Sequence, residues 1–159
     1  MIQSMFESLH EFVHSLPVGL QWLGVMLIAA IPFVESYGAT AIGIAVGVHP
    51  LLVIPAAILG NVFSMLVFVF LGKTAHNRLS NDRELSGRKA RFKNLFDKYG
   101  VAVVSLIGQT VLPSQITSGL MVSFGAHRKK VINWQVISIC IWAIAFGAIA
   151  LGLLNVFGV

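Results

Sequence analysis

Two short stretches hold residue types that could do chemistry. The first, His10-Glu11-Phe12-Val13-His14, matches H-E-x-x-H, in which two histidines one helical turn apart hold zinc and the glutamate activates a water. No third ligand stands out, and no soluble domain surrounds this opening element. The wet face of a surface helix accounts for the same residues, so the match to a zinc protease reads as fortuitous and no enzyme is expected. His10, Glu11 and His14, with Glu7, remain candidates for an adventitious metal only. The second stretch is residues 31–50, IPFVESYGATAIGIAVGVHP, where Glu35 is the only acid between Glu11 and Asp82. It lies inside an apolar run covering residues 18–72. A carboxylate at membrane depth is costly unless it faces a partner or a water-filled cavity, so its presence points to a binding role. The competing account is a kinked helix whose Glu35 is protonated and inert. Pro32, three residues earlier, removes a backbone donor and disfavours helix at Ile31, and Gly38, Gly43 and Gly47 loosen the backbone beyond it. Broken backbone beside a buried acid is how secondary transporters build a site.

The rest of the chain must position that acid. Of 159 residues, 57% are hydrophobic and 11% charged, with a mean hydropathy of +0.86. A soluble domain of this size needs more charge on its surface, so residues 1–159 read as a single membrane domain. The N-terminus does not read as a signal peptide, because its first charges are Glu7 and Glu11 and a basic region is missing. Cys140 is the only cysteine and sits in an apolar run, where it packs. The net charge of +5 does not point to nucleic acid. Residues 73–98 alone hold eight Lys or Arg against three acids, without the interleaved aromatics of a base-stacking surface. Residues 73–98 are therefore expected to form a basic cytoplasmic loop, a topology signal that contacts anionic headgroups.

Residues 1–17 predict an amphipathic helix lying on the membrane, with Phe6, Leu9, Val13 and Leu16 on one face and Glu7, His10, Glu11 and His14 on the other. Residues 18–48 are apolar and divided by Pro32; residues 51–72 are uncharged and long enough to span. After the basic segment, with a turn expected at Ser80-Asn81-Asp82, residues 99–126 are apolar and divided by Pro113. Arg128-Lys129-Lys130 precede the uncharged run 131–157, which can span with some tilt. Both basic clusters should lie on the cytoplasmic side, so the stretch between them crosses an even number of times. Its 28 residues are too few for two helices of about 20 residues each, but enough for a re-entrant hairpin turning near Pro113.

The first half carries the same pattern. Gly38 follows Pro32 by six residues and Gly119 follows Pro113 by six; Gly47-Val48-His49 precedes one span and Gly125-Ala126-His127 the other. The fold class expected is therefore all-α integral membrane. It comprises an N-terminal interfacial helix and an inverted repeat of two re-entrant helical hairpins each followed by a transmembrane helix, the first hairpin with its helix in residues 18–72 and the second with its helix in residues 99–159. Coincidence between two Gly-rich apolar runs is the alternative. His49 and His127 read as helix caps or headgroup contacts, with a proton relay as the alternative, and Trp22, Trp134 and Trp142 as packing or interfacial anchors. Asn61 is expected to face the interior, either touching substrate or pinning a hairpin.

IPFVESYGATAIGIAVGVHPLLVIPAAILGN resembles the proline-glutamate-glycine segment of the small multidrug export proteins, and YGVAVVSLIGQTVLPSQITSGLMVSFG resembles their second proline-containing segment. Together these cover most of residues 31–126. That family is similar in pattern to the DedA and VTT membrane proteins, so the resemblance implies two opposed hairpins and a link to lipid-carrier flipping. DedA-type hairpins usually pair an acid with an arginine. Here Glu35 is the only hairpin charge, and the second hairpin offers Gln109, Thr110, Ser114, Gln115, Thr117 and Ser118.

The function expected is movement of a small amphipathic molecule, one version being cationic, across the cell membrane with proton coupling through Glu35. The site would draw on Pro32, Glu35, Gly38, Asn61, Gln109, Thr110, Pro113, Ser114 and Gln115, with no cofactor. The alternatives are DedA-like flipping of a phosphorylated lipid carrier and a structural, lipid-organising role. The partners expected are membrane lipids, the substrate, protons and a second copy in a homodimer, because two spans make a thin wall around a cavity.

Overall fold

The computed structural model describes residues 2–79 and 87–157. Among these the ordered elements are helices: α1 (Ile2–Ser15), α2 (Gln21–Ala29), α3 (Glu35–Ala45), α4 (Pro50–Leu79), α5 (Gly87–Ile107), α6 (Ser114–Ser123) and α7 (Arg128–Phe157). Short 3-10 turns lie at Val18–Leu20 and Gly108–Thr110. Two helices are long and apolar enough to cross a membrane, through Pro50–Gly72 (23 residues) in α4 and Arg128–Leu153 (26 residues) in α7. At 1.5 Å per residue these reach about 35 and 39 Å, against about 30 Å of hydrocarbon. Their outward sides carry Leu59, Phe63, Phe70, Ile137, Ile141 and Ile144, all exposed, as suits lipid. Gln3–Ser15 and Val18–Ala29 together pass the same test but are bent by 118°. The protein is thus an all-α chain of membrane-protein character.

Proline and glycine set the breaks. The chain leaves helix between α2 and α3 around Pro32, and between Thr110 and α6 up to Pro113. Helices α3 and α6 then end in the same way. Gly47 (φ 93°) donates to the Ile44 carbonyl while Val48 donates to that of Gly43, both at 3.0 Å. Gly125 (φ 94°) donates to the Val122 carbonyl at 3.0 Å and Ala126 to that of Met121 at 2.9 Å. Both are the paired bonds of a Schellman cap, which needs a left-handed residue at the glycine position. The cap reverses the chain into α4 or α7, and the Nδ1 of His49 accepts the Leu51 N–H at 3.3 Å to cap α4.

The basic segment differs from a loop. Residues 73–79 continue α4 and residues 87–99 begin α5, up to the non-helical Gly100 (φ 73°, ψ 179°). Lys and Arg are good helix formers and suit a helix C-terminus, so charge marks where a helix leaves hydrocarbon and not where it ends. The turn expected at Ser80-Asn81-Asp82 lies outside the described residues.

Two compact units divide the chain, one from Met1–Phe63 with Ile139–Val159 and the other from Ser64–Ser138. In the first, α1 packs on α2 and α3, which pack on each other around Val25, Ile28, Val34, Ala39, Ile42 and Val53. A methyl group at Gly60 of α4 would collide with the Met26 carbonyl of α2, so these helices touch backbone to backbone. In the second, α5 packs on α6, and Gly72 of α4 approaches Gly119 of α6 so closely that a Cβ would meet its carbonyl oxygen at 2.5 Å. Small residues allow such approaches between helices in lipid, where apolar burial drives nothing.

Candidate functional site

In the first unit the break at Pro32 is held by two bonds. The N–H groups of Val34 and Glu35 both donate to the Ile31 carbonyl at 3.2 Å. The backbone is left-handed at Phe33 (φ 74°) and Glu35 (φ 54°). Each such residue costs on the order of 1–3 kcal/mol and persists only where its surroundings fix it. The turn places Glu35, 0% exposed, at the first position of α3, and among the described residues it is the only charged side chain that is buried.

The same unit buries uncharged polar groups and holds a cluster of rings. The Ser36 hydroxyl donates to the Ile139 carbonyl of α7 at 3.2 Å, and Gly147 of α7 would put a Cβ 3.3 Å from the Thr40 methyl. These contacts rise together along both chains, so α3 and α7 run parallel here. The Thr40 hydroxyl is buried without a hydrogen-bond partner. Gly38, also buried, lies under the Phe6 ring of α1, and Asn61 is fully buried on α4. Tyr37 packs against Phe146 (ring centroids 5.2 Å apart) and Trp142 (6.2 Å), which are themselves 5.9 Å apart.

The second unit holds an uncharged polar core. Gln109, Ser114, Gln115, Thr117 and Ser118 are buried, and Pro113 is buried with them. The Gln109 amide donates to Ser138 Oγ at 3.0 Å and, more weakly, to Gln135 Oε1 at 3.5 Å; the Ser138 hydroxyl donates to the Ser105 carbonyl at 2.7 Å. Ser105 Oγ, Gln109 Oε1 and Gln135 Nε2 remain without partners. Thr110 stands apart: it is exposed, and its hydroxyl donates to the Ile107 carbonyl at 2.7 Å, closing the 3-10 turn. Sequence reasoning missed Ser105, Gln135 and Ser138 along with Ser36 and Thr40. The signal was there, since Ser105 with Gln109 and Gln135 with Ser138 repeat at helical spacing inside apolar runs.

The H-E-x-x-H residues lie on α1. The His10 and His14 rings stack at 6.2 Å with an 11° tilt, and Glu7, His10 and Glu11 line a groove of about 460 Å³ against Ala41, Ile42 and Ala45 of α3. Among the described residues, no group of three His, Cys, Asp or Glu is placed to hold a metal ion. Glu11→Gln is expected to leave fold and activity unchanged, with zinc well below one per chain by elemental analysis. A stoichiometric zinc lost in the variant would overturn this. No family model, no curated protein and no solved structure matches the chain.

Proposed function

We propose that the chain is a transporter that moves a small amphipathic molecule across the bilayer in exchange for protons at Glu35. The observation carrying this reading is the buried Glu35 carboxyl at a strained helix break, in a chain with two membrane-length helices. An acid at such depth, beside irregular backbone, is costly to keep without a binding role. The architecture proposed is the inverted repeat of two re-entrant hairpins. Each half supports it with a polar lead helix, a pair of helices interrupted near a proline, a Schellman cap at the glycine of Gly-x-His, and a long final helix. A homodimer of this unit in the cell membrane is part of the same proposal, with residues 73–98 on the cytoplasmic side.

Two experiments test this. Purified protein in proteoliposomes should accumulate a lipophilic cation when a pH gradient is imposed, and collapse of the gradient should stop it. In a Cys140→Ser background, Arg91→Cys and Lys129→Cys should be labelled from the same face of sealed vesicles. Labelling from opposite faces would restore ordinary spans and remove the second hairpin.

One observation favours a second reading, flipping of a phosphorylated lipid carrier. An apolar groove of about 380 Å³ runs along α5, lined by Leu95, Tyr99, Val103, Ile107 and Val111. The Nζ of Lys98 lies 5.0 Å from the ring centroid of Tyr99, one of the lining residues. An acyl or isoprenoid tail fits such a groove and an anionic headgroup fits the lysine. Scrambling of a phosphorylated carrier without a pH gradient would favour this reading over cation exchange.

A further inference from the structure

The hydrogen-bond network of the second unit ends in three buried atoms without partners. The break before α6 delivers its central residue. The N–H groups of Val111 and Leu112 both donate to the Gly108 carbonyl, at 3.0 and 2.9 Å, and this turn carries Gln109 to α7. Ser138 of α7 then fixes the orientation of two amides. Its single hydroxyl proton goes to the Ser105 carbonyl at 2.7 Å, so its oxygen can only accept from Gln109, at 3.0 Å. The same Gln109 NH2 group faces Gln135 Oε1 at 3.5 Å, which sets the second amide. Turning Gln109 would put oxygen against oxygen, and turning Gln135 would put NH2 against NH2. Gln109 Oε1 is left over as an acceptor, Gln135 Nε2 as a donor and the Ser105 hydroxyl as both. Ser105, Gln135 and Ser138 are 0% exposed and Gln109 6%.

We infer that Ser105, Gln109 and Gln135 bind one hydroxyl group between α5 and α7, supplied by water or by the alcohol of an uncharged permeant. A hydroxyl donates once and accepts twice. It can give its proton to Gln109 Oε1 and take one each from Gln135 Nε2 and Ser105 Oγ. All three atoms are then satisfied by about the number of bonds a buried water makes. Left unpaired, each would carry its full desolvation cost. An anion can only accept, so Gln109 Oε1 would repel it, and a cation would meet the Gln135 NH2 group. Among the described residues of this unit no Asp, Glu, Lys or Arg is buried, so neither charge finds a counterion. A serine inside an apolar helix can bond the carbonyl one turn back, yet the Ser105 hydroxyl makes no such bond. Glu35 lies in the first unit, so its reading and this one stand or fall separately.

The chain has five glutamines, few enough to resolve one by one. Full-length protein with isotope-labelled glutamine side chains is placed in phosphatidylcholine liposomes. Magic-angle-spinning NMR then reads which protons lie beside each amide nitrogen, and Gln135→Met identifies the Gln135 signal. Gln135 Nε2 is expected to show a contact with bound water. If that contact persists when isotope-labelled glycerol is added, water is the source; if contacts to glycerol carbons replace it, the source is an alcohol. Ser105→Ala separates a bound group from atoms that are merely tolerated unpaired. It keeps the Ser105 carbonyl with its bond from Ser138 and removes only the hydroxyl. With a group bound, the variant should melt about 2–4 °C below the parent. With nothing bound, alanine removes an unpaired hydroxyl and improves the helix, so the melt should match or exceed the parent's. Absence of contact from both water and glycerol, or a Ser105→Ala melt at or above the parent's, would overturn the site.

Discussion

Glu35→Gln is expected to reduce pH-driven transport to the leak of empty vesicles while the protein remains folded. Glutamine keeps the size of the side chain and part of its hydrogen bonding, so the break at Pro32 should survive. The exchangeable proton is lost. Desolvation favours the protonated form of a carboxyl, whereas water or an arriving cation favours the ionised form. On the exchange proposed above, proton and cation would compete for one oxygen pair, and neither could occupy it while the other is bound. That competition is the least that exchange requires, because a ligand shifts an equilibrium only through its differential affinity for two states. Glu35→Asp keeps the charge but withdraws it by one methylene, so a reduced rate is expected. Thermal unfolding in detergent separates lost chemistry from lost structure. Full gradient-driven uptake in folded Glu35→Gln would leave Glu35 as a structural hydrogen-bonding residue.

Backbone breaks and spans were legible in the sequence because their causes are local. Pro32 and Pro113 disrupt a helix whatever surrounds them, Gly47 and Gly125 accept the left-handed cap, and long uncharged runs declare α4 and α7. The burial of Glu35 and of Gln109, Ser114 and Gln115 could be read from the cost of exposing polar groups to lipid. Partnerships were not legible. Gln109 meets Ser138 across 29 residues, and only packing decides that α5 and α7 bring them together. Trp142 read as a packing residue or an interfacial anchor, and its partner in packing emerges only when α3 supplies Tyr37. The positive φ at Phe33 and Glu35 was invisible for a similar reason. Neither residue prefers that conformation, so it is imposed by the turn around Pro32.

The same distinction between local preference and packing gives opposite signs to two identical substitutions. Gly60→Ala and Gly152→Ala each add one methyl group to a long apolar helix. By intrinsic propensity alone both should stabilise, since alanine exceeds glycine in a helix by about 1 kcal/mol. At Gly152 nothing lies within 4 Å of the added Cβ, so the propensity gain should stand. At Gly60 the methyl group would overlap the Met26 carbonyl oxygen, with the Met26 carbonyl carbon at 2.8 Å and Cα at 3.1 Å. Side chains can rotate away from a clash, but a carbonyl inside α2 moves only with its helix. Overpacking costs about 1–3 kcal/mol when side chains can adjust, and backbone contact should put Gly60→Ala at the upper end or beyond. Displacing α2 would also disturb the break at its C-terminal end, where the Val34 and Glu35 N–H groups donate to the Ile31 carbonyl. Gly60→Ala should therefore lose both folded yield and Glu35-dependent transport, while Gly152→Ala should melt slightly higher than the parent and transport normally. Thermal melts of the two purified variants in the same detergent are the measurement. Equal stability of Gly60→Ala and the parent would mean that α2 does not lie against α4 at this point.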